Sequence, residues 1–339
     1  MYKRRGGWLQ ALVETSPPYS LMSRLTSSLI FILFASFISP AASVSYSQTD
    51  SFVGSQFNNG FSYEAIADPT NGRVNYVDAA TAASQNLTYA SDDTFILRAD
   101  FTTVLSATGA GRNSVRLQSN KQYGSNTVMV FNIRHMPQGC GTWPALWTFA
   151  DPWPTLGEID ILEGVNNQAY NQATLHTSAG CTMPASRDET GVVLTDDCNT
   201  AVNGNSGCGV QIQDPLSYGA PFNDNGGGWY AVERTGTFIK IWFWARNNNS
   251  IPADIQAGNT NINTDAWGTP FAYFPNTSCS ISDKFGAHNI IINLTFCGDW
   301  AGSVYSTSNC PSSCVDYVNN NPAAFVDAYF DFASAKVYG

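Results

Sequence analysis

The octapeptide Gly157-Glu158-Ile159-Asp160-Ile161-Leu162-Glu163-Gly164 constrains this chain more than any other stretch. It sets three carboxylates in an apolar run bounded by glycines. On a β-strand, alternate residues share a face, so Glu158 and Asp160 point the same way. Strict alternation would put the third acid at Leu162, but it lies one residue later, at Glu163. A β-bulge absorbs one extra residue and returns the following side chain to the original face. A bulged strand therefore lines one surface with all three acids. The plainer reading is an edge strand with solvated acids, which predicts interspersed Lys or Arg. None occurs from Asp151 to Ser186.

The rest of the sequence reads as short strands divided by turns. Thr127–Arg134, Trp229–Thr235, Phe238–Ala245 and Ile290–Phe296 are strand-like apolar runs. The turn Thr235–Phe238 joins two of them as a hairpin. Residues 328–338 alternate enough for a closing strand, and a short helix is expected around Cys314–Val318. Many short strands with turn signals predict an all-β sandwich of two antiparallel sheets. The long polar segment 180–222 carries three cysteines and reads as an ordered loop bordering a cleft.

Residues 29–38 are almost wholly apolar, follow Arg24 and precede Pro40-Ala41-Ala42-Ser43. The run is too short to span a bilayer and reads as a secretory signal over residues 1–42, leaving one domain from 43 to 339. Without the signal, 12 basic face 25 acidic side chains, a net charge of −13. Such a surface argues against nucleic acid or anionic membrane as partners and suits a neutral substrate. The eight cysteines all follow the signal, an even count that predicts up to four disulfides of open connectivity. Cys310 and Cys314 are near enough in sequence for a local clasp. No Cys or His spacing suggests zinc, no Asp-rich loop suggests calcium, and no metal is expected. The sequons at Asn86, Asn248, Asn276 and Asn293 fit secretion, with Asn293 the poorest acceptor because it lies in a predicted strand.

In a bulged strand, Glu158 and Glu163 stand about four steps, roughly 13 Å, apart at Cα. Inward-leaning side chains bring their carboxyls within about 5–6 Å, near the about 5–5.5 Å of a retaining glycosidase and below the inverting range. The neighbourhood sharpens this. Residues 139–147 read Gly-Cys-Gly-Thr-Trp-Pro-Ala-Leu-Trp, and 151–154 read Asp-Pro-Trp-Pro. Downstream come Thr174–Thr177 (Thr-Leu-His-Thr) and Phe296–Gly302 (Phe-Cys-Gly-Asp-Trp-Ala-Gly). From about Tyr46 onward the chain resembles family 16 of the glycoside hydrolases, in particular fungal endo-β-1,3(4)-glucanases of the laminarinase-like branch. The extra residue in E-x-D-x-x-E belongs to that branch.

The resemblance implies a β-jelly roll with a concave substrate cleft, and no cofactor. It implies Glu158 as nucleophile, Glu163 as acid/base and Asp160 as the group that tunes the pair. It implies that Trp147, Trp153 and Trp300 line glucose subsites, with Trp143 in the same Trp-Pro-Ala motif. His176 matches the strand beside the acids and is expected in the cleft, bonded to a carboxylate or sugar. Arg116, Asn166 and Asn171 are further candidates for sugar hydroxyls. Trp242 and Trp244 share one strand face as core or cleft floor, and Trp229 and Trp267 read as packing. The expected partner is β-glucan, and the expected state a secreted monomer. A cell-wall glucan transglycosylase would use the same residues. A non-catalytic glucan-binding protein on this fold would lack the three acids.

Overall fold

The computed structural model describes residues 45–339, and the segment read as a secretory signal lies outside them. Two large antiparallel sheets pack face to face as a β-jelly roll. One sheet runs, from edge to edge, through Val192–Val193, Cys208–Gln211, Gln172–His176, Glu158–Glu163, Thr142–Phe149, Asn289–Phe296, Arg116–Ser119 and Phe61–Tyr63. The acid-bearing strand thus sits near the middle, flanked by Thr142–Phe149 and Gln172–His176. The opposing sheet is built around Tyr329–Tyr338, Thr127–His135, Gly228–Arg234 and Phe238–Ala245.

Alternation explains the division of labour. Leu146, Ile159, Leu175, Ile290 and Ile292 turn inward from the first sheet to meet Phe131, Ile133, Tyr230, Val232 and Phe332 from the second. Their neighbours on the first sheet, Trp143, Trp147, Glu158, Asp160, Asn293 and His176, are left for the outer face. Burying one such apolar side chain stabilises the fold by about 1.5–3 kcal/mol.

The hairpin is present, with Arg234 paired to Ile239 and the Thr235 N–H donated to the Phe238 carbonyl at 2.9 Å. The expected C-terminal strand is present as Tyr329–Tyr338 and lies inside its sheet, between Tyr46–Phe52 and Thr127–His135. The helix at the C-terminal end spans Cys314–Asn320 and is capped by Ser313, whose side chain accepts the Asp316 N–H. Short helical turns absent from the sequence reading occur at residues 57–60, 79–84, 219–224, 253–256 and 281–284. They span one or two turns each, too short for an apolar period to register. Among the described residues, no helix is long and apolar enough to cross a membrane.

All eight cysteines pair, as Cys140–Cys310, Cys181–Cys279, Cys198–Cys208 and Cys297–Cys314. The local clasp between Cys310 and Cys314 is therefore incorrect. Cys314 opens its helix and turns into the cluster of Cys297, Phe296 and Val318, whereas Cys310 lies before that turn and meets Cys140. The segment 180–222 is ordered, held by two of the bridges and by pairing of Cys208–Gln211 with Gln172–His176.

Trp242 and Trp244 are not cleft floor. They belong to the opposing sheet and face away from the cleft, in a separate cluster with Trp229, Trp267, Ile251 and Ile255. Their rings stack at 6.5 Å, and Trp267 meets both edge-on at 5.3 and 5.5 Å. The segment around residues 251–267 folds over that face and covers them, which alternation within one strand cannot foretell.

Candidate active site

Three acids converge because the strand is bulged where the extra residue demands it. Against Thr142–Phe149, Asp160 pairs with Trp147 and Leu162 with Leu146, leaving Ile161 as the inserted residue. Ile161 and Leu162 are both fully buried in the core. Glu163 then returns to the face of Glu158 and Asp160, as the spacing predicts. The bounding glycines serve close approach. At Gly157 φ is +77°, and a Cβ would fall 2.5 Å from the Phe285 ring. At Gly164 a Cβ would fall 2.2 Å from Gln168 Nε2.

Each glutamate receives an indole N–H. Trp153 donates to Glu158 Oε2 at 2.6 Å, and Trp143 to Glu163 Oε1 at 2.8 Å. Trp153 sits on the loop leading into the strand and is 43% exposed. Trp143 and Trp300 meet edge-on at 5.7 Å. Trp300 stands in the helical turn Gly298–Gly302, immediately after Cys297.

His176 is the cross-strand partner of Glu158. Its Nε2 lies 3.4 Å from Asp160 Oδ2, and its Nδ1 bonds Asn205 Oδ1 at 2.9 Å. Burial alone would pull the imidazole down. The contact with Asp160 and the fields of Glu158 and Glu163 instead raise it to about 10, so it stands as a cation among the acids. Asp160 is driven well above the usual carboxylate range by burial and by both glutamates, against the pull of His176. Burial pushes Glu163 up to about 7, partly offset by the Trp143 hydrogen bond and His176 and reinforced by Glu158. A carboxyl so placed keeps a proton near neutral pH.

Glu158, Asp160 and His176 also bring one potential metal-ligand atom each within 4.8 Å of one another. The His176 cation beside Asp160 already supplies positive charge there.

Trp147 shares the acids' sheet face as the cross-strand partner of Asp160, while the remaining candidates stand apart. Trp147 is half-buried on the outer face, stacked with Phe149 at 5.1 Å, and donates to Asn293 Oδ1 at 2.7 Å. Asn293 in turn donates to the Tyr76 hydroxyl at 3.0 Å, so this sequon residue is buried and committed. Arg116 is not free to meet a sugar. It is buried, paired with Glu64 at 2.6 Å, and its guanidinium lies 5.0 Å from the Trp147 ring centre. Asn166 is likewise no sugar ligand: it is 1% exposed, accepts the Gly141 N–H and donates to the Ala301 carbonyl. It ties the loop of Trp300 to the start of the Trp143 strand. Asn171 is fully buried and bonds backbone alone through its side chain. Sequence reasoning missed Asn205 and Gln168. Asn205 lies in a distant loop with no local signal, while Gln168 follows Asn166 and Asn167 just past the predicted bulge, with nothing in the sequence to single it out.

A jelly roll with two glutamates on one sheet face, an aspartate between them and indoles around them defines a glycoside hydrolase catalytic domain. Residues 61–338 match the family described as XgeA-like, catalytic GH16 domain, and the chain belongs to that family. Laminarinase 16A of Phanerochaete chrysosporium, solved with β-glucans (6-O-glucosyl-laminaritriose) in donor and acceptor sites, is 60% identical. That similarity covers 87% of this chain and 100% of that one, with a TM-score of 0.86. An elongating family 16 β-1,3-glucosyltransferase is 40% identical over 87% of this chain and 100% of its own, with a TM-score of 0.81. A probable endo-1,3(4)-β-glucanase of Aspergillus fumigatus is 43% identical over 94% of this chain and 49% of its own length. The chain thus spans about half the length of the curated relatives it matches.

Proposed function

We propose that the protein is a secreted, monomeric, retaining endo-β-glucanase that cleaves β-1,3-glucans and mixed β-1,3/1,4-glucans. Glu158 attacks the anomeric carbon while Glu163 gives its proton to the departing glycosidic oxygen. Glu163 then takes a proton from water as the glycosyl-enzyme is hydrolysed. Asp160, paired with His176, holds the field around Glu158 as charge moves through the site. Trp147, Trp153 and Trp300 offer ring faces to glucose units, and Trp143 orients the acid.

The observation that carries this reading is the bulge, which sets Glu158 and Glu163 on one face in unlike surroundings. Unlike surroundings give two carboxyls the two roles the double displacement needs. Incubation with laminarin, barley mixed-linkage glucan and carboxymethyl cellulose tests it. Short oligosaccharides from the first two and none from the third are expected. Laminarin binding without products would overturn it. The likeness to the glucosyltransferase favours a second reading, transfer to a glucan acceptor, which would show as lengthened products when acceptor oligosaccharides are added.

A further inference from the structure

We propose that Asn171 is a positioning residue: with Gln168, its side-chain amide fixes the bulged backbone that carries Glu163, and so sets where the acid/base carboxyl stands. This rests on the role given to Glu163 above.

A bulge interrupts the ladder, and a buried peptide group left unpaired costs about 1–3 kcal/mol. Both ladders slip between Asp160 and Glu163. Asn171 fills the gap from the side. Its Nδ2 donates to the Ile161 carbonyl at 2.9 Å, and its Oδ1 accepts the Glu163 N–H at 2.8 Å. One planar amide therefore bridges the inserted residue and the acid itself. Asn171 donates its own N–H to Ser217 Oγ at 3.1 Å, and the Tyr230 hydroxyl donates to the Ser217 carbonyl at 2.5 Å. The clamp is thereby anchored to the opposing sheet.

Gln168 closes the other side. Its Oε1 accepts the Val165 N–H at 3.0 Å, while its Nε2 donates to the Tyr170 carbonyl at 2.7 Å and reaches the Glu163 carbonyl at 3.5 Å. Gly164 leaves room for this approach. The Glu163 peptide is gripped at its N–H by one amide and met at its C=O by the other. The ladders resume at Glu163, opposite Gln172 and Ala145, and the two amides hold its peptide from the side.

A displaced Glu163 has a chemical signature. Loss of the proton donor matters when the leaving oxygen needs protonation, and loss of the base matters when water must attack. A 2,4-dinitrophenolate leaves without a proton. Azide attacks the glycosyl-enzyme without base help, forming a glycosyl azide and freeing the Glu158 carboxylate. Asn171→Ala and Asn171→Asp are therefore compared on laminarin and on a 2,4-dinitrophenyl β-laminaribioside, with and without azide, after folding is checked by circular dichroism. The aspartate keeps the size but loses the donor to Ile161. A misplacement near 1 Å costs about 100-fold. A loss of that order is expected on laminarin, with a far smaller loss on the aryl substrate and recovery with azide. Equal losses on both substrates with no azide effect would overturn the proposal. Should neither variant fold, Gln168→Met, altered on the half-exposed side of the clamp, decides in the same way. Glu163→Ala is run alongside. If it lacks the pattern, the role of Glu163 fails, and that failure is distinguishable from a failure of the clamp.

Discussion

The indole N–H of Trp143 meets Oε1 of Glu163 at 2.8 Å, and it is the hydrogen bond that draws this carboxyl down against the burial that lifts it to about 7. A donor to a carboxylate favours its charged form. The acid works only while protonated, so kcat/KM falls as pH rises through its pKa. In the unmodified protein that basic limb is expected near about 7. Trp143→Phe keeps the ring and removes the donor, leaving only His176 to oppose burial and Glu158, so the limb should move to higher pH. A pH–rate profile on laminarin checks it, and a limb moving down would contradict the geometry.

His176 makes a prediction about stability rather than rate. Unfolded, an imidazole titrates near about 6.5. Folded, it is held up to about 10 by Asp160 and the two glutamates, which outweigh burial. The folded state thus holds this proton more tightly. Its contribution is full below about 6.5 and is lost as pH rises from there to about 10. Glu163, also raised, loses its share lower, between its unfolded value near 4.5 and about 7. Asp160, also driven up and titrating with His176, shares the window from about 7 to about 10, which therefore reports the Asp160–His176 pair. Urea midpoints should decline across it in the unmodified protein and flatten in His176→Asn.

What the sequence made legible follows from which signals are local. The bulge was readable because one residue too many lay between Asp160 and Glu163, and register obeys a period of two. The strands of the hairpin were readable as apolar runs on either side of the turn Thr235–Phe238. Asn166 and Arg116 were misplaced because a polar residue near a cleft looks alike whether it meets sugar or backbone. Only the folded chain shows Asn166 tying Gly141 to Ala301, and Arg116 spent on Glu64. Asn205 reaches His176 from 29 residues away, through a loop whose course depends on disulfides that sequence leaves open.

The Cys297–Cys314 bridge closes a loop that contains Trp300. Removing it as Cys297→Ser with Cys314→Ser should cost about 3 kcal/mol, the scale for a loop of this length. Because Trp300 faces Trp143 from that loop, KM for laminarin should rise more than kcat falls. Calorimetry and steady-state kinetics on the double variant measure both. An unchanged KM would detach Trp300 from glucan binding.

Trp242 and Trp147 lie on opposite sheets and should answer to opposite measurements. Trp242 is 3% exposed, packed between Trp244 and Trp267 on the face away from the acids. Truncating so large a buried ring to alanine costs about 3–5 kcal/mol. Trp242→Ala should therefore lower the unfolding midpoint sharply while kcat/KM per folded molecule holds. Trp147 is half-buried on the outer face, bonded to Asn293 and flanked by Arg116. Trp147→Ala forfeits less packing but removes a ring face that a glucose unit would cover. A loss of about 1.4 kcal/mol in binding is a tenfold rise in KM. That rise, with kcat less affected, is what uniform binding of ground and transition states predicts. If Trp242→Ala raised KM as Trp147→Ala does, glucan would have to reach the far sheet, and the cleft would not be confined to the face that carries Glu158 and Glu163.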